Sequence, residues 1–139
     1  STSEDLASAL DKFASLSTTG KASNSDAEPD HTMVIEFAKQ IISMENNMSR
    51  MDPEDKGLKR IKRAIEKMHN TLKTMDYEIV PLLGEEIIIG KIIDIGIREP
   101  DESIELGKQI VYNVDRAEIQ FKGEQIQKAK VDIKYNPND

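Results

Sequence analysis

The sequence predicts an α+β protein, two neighbouring helices followed by a small antiparallel β-domain. Three observations carry this expectation. Apolar residues recur at 3-4-3-4-3 spacing over residues 34–51 and again over residues 58–75, the pattern of two amphipathic helices. A proline-containing break, Met51-Asp52-Pro53-Glu54-Asp55, separates them. From Tyr77 onward β-branched residues and period-two alternation take over.

Residues 1–30 read as a short helical arm and a flexible linker. Leu6, Leu10 and Phe13 recur at helical spacing with Ala7 and Ala14 beside them, until Ser17-Thr18-Thr19-Gly20 stops the pattern. The arm reads as a weakly docked terminal segment rather than a binding motif.

Residues 31–76 read as a helical hairpin. In the first helix Val34, Phe37, Ile41, Met44, Met48 and Met51 form a stripe that Ala38 and Ile42 widen. Asp52 is expected to cap the second helix, with Pro53 at its first position and Glu54 and Asp55 near its positive end. Leu58, Ile61, Ile65, Met68, Leu72 and Met75 form the second stripe, beside Ala64. Two such helices make a thin core with wet sides. The pattern therefore predicts a homodimer in which two hairpins pair into a four-helix bundle of coiled-coil type. Its interface would hold Val34, Phe37, Ile41, Met44, Met48, Leu58, Ile61, Ile65, Met68 and Leu72. The stripe methionines read as core, not as an adaptable binding face.

Residues 77–139 read as the β-domain. Tyr77-Glu78-Ile79-Val80 is a short strand ending at Pro81. Residues 86–97 contain seven isoleucines and read as a strand bent at Gly90. Residues 99–107 form an acidic loop, and 109–114 a strand. Ile119 and Phe121 alternate before a hairpin turn at Lys122-Gly123. Ala129, Val131, Ile133 and Tyr135 alternate with Lys128, Lys130, Asp132 and Lys134, a strand with one wet face that ends at Asn136-Pro137.

Composition narrows the function. The chain has 139 residues, of which 37% are hydrophobic and 32% charged. It has no cysteine, which excludes disulfide scaffolds and thiolate metal sites. Nineteen basic against 26 acidic residues give a net charge of −7, which argues against bulk binding of nucleic acid. The apolar stretch near residues 87–97 is too short, and too broken by Gly90, Lys91 and Asp94, to span a membrane. Only residues 52–76 are net basic, with seven basic and five acidic residues. Their helix face of Lys56, Lys59, Arg60, Lys62, Arg63, Lys67 and Lys73 reads either as a solvated face or as a contact for an acidic protein partner.

No catalytic residue, cofactor or metal is expected. His31 and His69 stand in no ligand spacing, and there is no nucleophile elbow, phosphate loop or dinucleotide glycine pattern. Glu99, Asp101, Glu102 and Glu105 lack the carboxylate ladder and central glycine of a calcium loop. Glu85 and Glu86 are adjacent and would point to opposite faces of a strand, so they form no acid–base pair.

Helices leading directly into a small β-domain form an unusual order, and particular segments give it an identity. Asp55-Lys56-Gly57-Leu58 is followed by Leu72-Lys73-Thr74-Met75-Asp76-Tyr77-Glu78-Ile79-Val80. Near the end stands Ile126-Gln127-Lys128-Ala129-Lys130-Val131, preceded by the Lys122-Gly123 turn. These segments, in this order, resemble the GrpE family, the nucleotide exchange factors of DnaK-type chaperones. The resemblance runs from about residue 34 to 135. The chain departs from the family at four places. It has Asp76 where the family usually has glycine, and Ala117-Glu118-Ile119 where the family has a basic-Gly-aromatic step. Gln127 replaces an arginine, and Glu124 stands where a basic residue is frequent. The short arm and linker stand where the family has a long N-terminal helical stalk.

The resemblance implies a cytoplasmic, homodimeric co-chaperone that is not an enzyme. Its β-domain would bind the nucleotide-binding domain of a DnaK-type chaperone and accelerate ADP release. The contact is expected at Arg116, Lys122, Glu124 and Lys128 of the β-domain and at Lys56, Lys59 and Arg60 of the helix. Neither nucleic acid nor membrane is an expected partner. The departures at Asp76, Glu118 and Glu124 favour an alternative, a dimeric adaptor of the same architecture that binds a different protein and has no exchange activity.

Overall fold

The computed structural model describes residues 5, 6, 8, 9 and 29–138. The chain is α+β and divides into two compact units, Ser1–Thr71 and Leu72–Asp139. Of the expected arm, Asp5, Leu6, Ser8 and Ala9 are helical; its remaining residues and most of the linker lie outside the described residues.

Helix α1 spans Thr32–Ser49. At its start Asp30 Oδ1 accepts bonds from the Thr32 backbone N–H at 3.0 Å and the Thr32 hydroxyl at 2.6 Å. These two bonds hold the exposed Asp30 carboxyl below its usual range, the hydroxyl contributing most. Helix α2 spans Leu58–Thr74. It starts later than the sequence suggests. Asp52 does not cap it, because Asp52 Oδ1 accepts the Glu54 N–H at 3.0 Å and Asp55 Oδ1 accepts the Gly57 N–H at 2.9 Å. Two successive aspartate-centred turns thus take up residues 52–57, and Pro53 sits in the first of them. Within this unit His69 Nε2 of α2 lies 3.3 Å from Glu45 Oε2 of α1.

The expected helical-hairpin four-helix bundle and its coiled-coil packing are corrected by the structure. Among the described residues there are two regular α-helices, of 18 and 17 residues. Their stripes are already dry in a single copy: Val34, Phe37, Ile41, Met44, Met48, Leu58, Ile65, Met68 and Leu72 are buried, and Ile61 is half-buried. The hydrophobic argument for a second copy assumed wet stripes. Burial within one chain removes it.

The second unit holds two three-stranded sheets. In the smaller, β4 (Ile119–Phe121) lies between β1 (Tyr77–Ile79) and β5 (Glu124–Gln127), all antiparallel. In the larger, β6 (Ala129–Tyr135) lies between β2 (Ile93–Pro100) and β3 (Gln109–Arg116). Strand β3 is antiparallel to β6, but β2 runs parallel to it, so the expected purely antiparallel sheet is corrected to a mixed one. The core of the unit includes Tyr77, Ile79, Leu82, Val111, Val114, Ile119, Val131 and Ile133. The Tyr77 and Phe121 rings lie 4.7 Å apart across the β1–β4 pair.

The expected hairpin turn agrees with the sequence. Lys122 and Gly123 both have positive φ, 51° and 82°, the hairpin turn whose twist matches its strands. At the junction of α2 and β1, Asp76 has φ 68°, and its carbonyl accepts the Lys122 N–H at 2.8 Å. The isoleucine-rich stretch differs. Glu86 makes only an isolated bridge to Ile110, residues 87–92 leave the ladder, and β2 starts at Ile93 and takes in Glu99 and Pro100 from the expected acidic loop. Three consecutive isoleucines, 87–89, would put apolar side chains on both faces of a strand, and Gly90, at φ 94°, turns the chain. Among the described residues no helix is long and apolar enough to cross a membrane.

Candidate functional site

Two exposed surfaces stand out, one in each unit. In the β unit the chain before the isoleucine turn is laced to β3. Gly84 N–H donates to Val111 O at 2.8 Å, Val111 N–H to Glu85 O at 2.9 Å, and Ile87 N–H to Gln109 O at 2.9 Å. Beyond this lacing Lys91 N–H donates to Ile88 O at 3.2 Å and closes a turn. Ile88, Ile89 and Ile92 are then 71%, 102% and 65% exposed. Three β-branched apolar side chains held in water on a braced turn are what a docking surface presents. Beside the turn lies a cleft of about 310 Å³, lined by Leu82, Ile87, Ile88, Lys91, Ile93 and Val111 among others.

The turn is also tied from below. Lys91 Nζ lies 3.4 Å from Oε1 of Glu118, a carboxylate buried at the start of β4. That oxygen makes no well-aligned hydrogen bond, so the tie is electrostatic; the other oxygen accepts the Gln120 Nε2 donor at 3.3 Å. Burying Glu118 is costly without a cation, and Lys91 supplies it from the turn itself.

The second surface is the outer face of α2. Leu58, Ile65, Met68 and Leu72 are buried on one side of the helix. At 100° per residue, Lys59, Arg60, Arg63 and Lys67 fall on the opposite side, and all four are exposed. Among the described residues, none of Lys56, Lys59, Arg60, Lys62, Arg63 and Lys67 forms an ion pair. Elsewhere Lys39, Lys91, Lys108, Arg116, Lys128 and Lys134 each have a carboxylate partner. Glu66 is the only acidic residue in α2. Like charges three and four residues apart cost a helix about 0.2–0.5 kcal/mol per pair, so this face lowers helix stability.

The expected contact residues are spread over several environments. Arg116 Nη2 and Lys128 Nζ meet on Asp94, at 2.8 and 2.7 Å, and Arg116 Nε also donates to the Lys128 carbonyl at 2.7 Å. Lys128, then Arg116, holds the exposed Asp94 carboxyl below its usual range. Both cations are therefore engaged in bridging strand ends. Lys122 and Glu124 flank the tip of the β4–β5 hairpin and are exposed, with Lys122 Nζ 5.2 Å from the Phe121 ring centre. Lys56, Lys59 and Arg60 lie at the start of α2, exposed. The ten expected interface positions lie on the dry sides of α1 and α2. Two of the departures from the resemblance have structural roles: Glu118 is buried, and Gln127 Nε2 donates to the Ala117 carbonyl at 2.9 Å.

Ile88, Ile89 and Ile92 were not among the expected contacts, because isoleucine density reads as strand. The signal that could have found them is the lack of alternation across residues 87–89. Among the described residues no group of three or more His, Cys, Asp or Glu is arranged to hold a metal ion. No family model matches the chain, and no curated protein matches it.

Proposed function

We propose that this chain is a GrpE-like co-chaperone of the cytoplasm, which binds the nucleotide-binding domain of a DnaK-type chaperone and accelerates release of ADP. The observation that carries the reading is the isoleucine turn, an apolar surface on the β unit that is braced from β3 and tied to Glu118 through Lys91. A braced apolar turn loses little conformational freedom on docking, which favours protein recognition. The partner's identity comes from the sequence resemblance. Asp76 supports that resemblance: it adopts the left-handed conformation that glycine prefers, at the position where the family usually carries glycine. Exchange would follow from differential affinity. A factor that binds the open, ADP-free conformation more tightly than the closed one shifts the partner toward the open form.

A second reading has its own support. Arg116 and Lys128 are engaged with Asp94, which leaves fewer charges for a family-type contact. On this reading the same turn docks a different protein, and the chain is an adaptor without exchange activity.

The test is capture of a purified DnaK-type ATPase domain by the immobilised chain, with and without ADP. The co-chaperone reading predicts stronger capture of the nucleotide-free domain and loss of capture by Ile89→Asp. Failure to capture it in either state, with steady recovery of another protein from native extract, supports the adaptor.

A further inference from the structure

We propose that the outer face of α2 is a docking strip for an acidic protein segment, separate from the isoleucine turn. The strip is Lys59, Arg60, Arg63 and Lys67, extended by Lys56 before the helix. Lys59, Arg63 and Lys67 stand on successive turns, about 6 Å apart along the axis. An acidic helix with carboxylates four residues apart repeats at the same interval, so several charge pairs can form in register. The cations are exposed and unpaired within the described residues, so no partner among these has to be displaced before they engage.

Among the described residues these cations have no carboxylate partner, although acidic residues outnumber basic ones 26 to 19 in the chain. Among the described residues the chain places carboxylates beside six cations elsewhere and pairs none of the strip's. An interspersed helix surface would alternate signs, but α2 has the single carboxylate Glu66. Stability does not explain this arrangement; complementarity to an acidic surface does.

Chemistry selects protein over the other polyanions. The net charge of −7 repels a long polyphosphate chain, and the strip carries no aromatic residue on which a base could stack. Between the cations on the outer face stand only Asn70 and Thr74, so it offers no apolar group to enter a lipid surface. A short acidic protein segment needs neither.

The experiment uses the full chain and a labelled helical peptide with glutamates four residues apart, read by fluorescence anisotropy, with a glutamine version as control. The proposal predicts binding to the glutamate peptide only, weakened several-fold when salt rises from about 50 to about 300 mM. Arg63→Glu with Lys67→Glu should weaken binding at least tenfold, while the equal charge change of Lys122→Glu with Lys130→Glu should change it less than twofold. Circular dichroism checks that each variant folds. Ile89→Asp should leave peptide binding unchanged, which separates this site from the isoleucine turn that carries the proposed function. Three results overturn the proposal: no binding at low salt, equal loss with both charge reversals, or tighter binding to an oligonucleotide or an anionic vesicle than to the peptide.

Discussion

At Gly96 a side chain replaces part of the sheet ladder. The β2–β6 register shifts between Ile95 and Arg98, and Asp132 Oδ1 fills the gap by accepting the Ile97 N–H at 2.9 Å. A Cβ on Gly96 would lie 2.8 Å from that oxygen, so only glycine leaves room for the carboxylate. Gly96→Ala is expected to destabilise the β unit by about 1–3 kcal/mol, measured by urea unfolding. The other Asp132 oxygen accepts the Asn113 amide at 3.0 Å, and the same amide donates to Asp115 Oδ1 at 2.8 Å. Burial, then the neighbouring Asp132 carboxyl, raises Asp115 above the ordinary carboxylate range. A raised folded-state value means that Asp115 favours the fold when protonated and opposes it once ionised. The penalty is absent below the unfolded value of about 3.9 and is complete above the raised folded one. Asp115→Asn should therefore raise the melting temperature at pH 7, and the gain should vanish near pH 3.5. An equal gain at both pH values would contradict this assignment. None of this residue-level detail is legible in the sequence, where Gly96 and Asp132 are 36 positions apart.

At the scale of elements, what was legible followed from periodicity. The stripes of α1 and α2 announce themselves because each turn of a buried helix face must be apolar. The Lys122-Gly123 turn and most of the β6 alternation are local in the same way, but Asp132, expected on the wet face, is buried. What was not legible depended on partners distant in sequence. Helix α2 starts later than its capping signals suggest because Asp52 and Asp55 bond within their own turns. The isoleucine turn was read as strand because β propensity reports a fit to a pleated surface and cannot say whether a partner strand is there. Its tie to Glu118 yields a prediction. Lys91→Met should destabilise the β unit by about 1–3 kcal/mol by stranding a buried carboxylate, and adding Glu118→Gln should recover part of the loss. Thermal unfolding of the two single variants and the double variant measures the coupling. For α2 the signs of stability and binding should be opposite. Arg63→Glu relieves like-charge pairs and should stabilise the helix by about 0.2–0.5 kcal/mol per pair relieved, while weakening acidic-peptide binding.

At the scale of the whole molecule, the α+β class was readable and the four-helix bundle was not borne out. Apolar stripes say that a helix face is covered, but not by which chain, and in the structure these faces are buried within one copy. The melting temperature should accordingly change little on hundredfold dilution, whereas a fold completed by a second copy would lose stability by mass action. The contact surfaces were only partly readable. The basic face could be seen as a run of charges, but its lack of carboxylate partners needed coordinates. The functional proposal joins a sequence resemblance to a braced apolar turn, and both parts bear on one rate. That rate is the departure of fluorescent ADP from a DnaK-type chaperone, followed by stopped flow at saturating chain. The account predicts marked acceleration by the native chain and little by Ile89→Asp, which should fold normally because Ile89 is fully exposed. An unchanged release rate with the native chain, or equal acceleration by both, would contradict it.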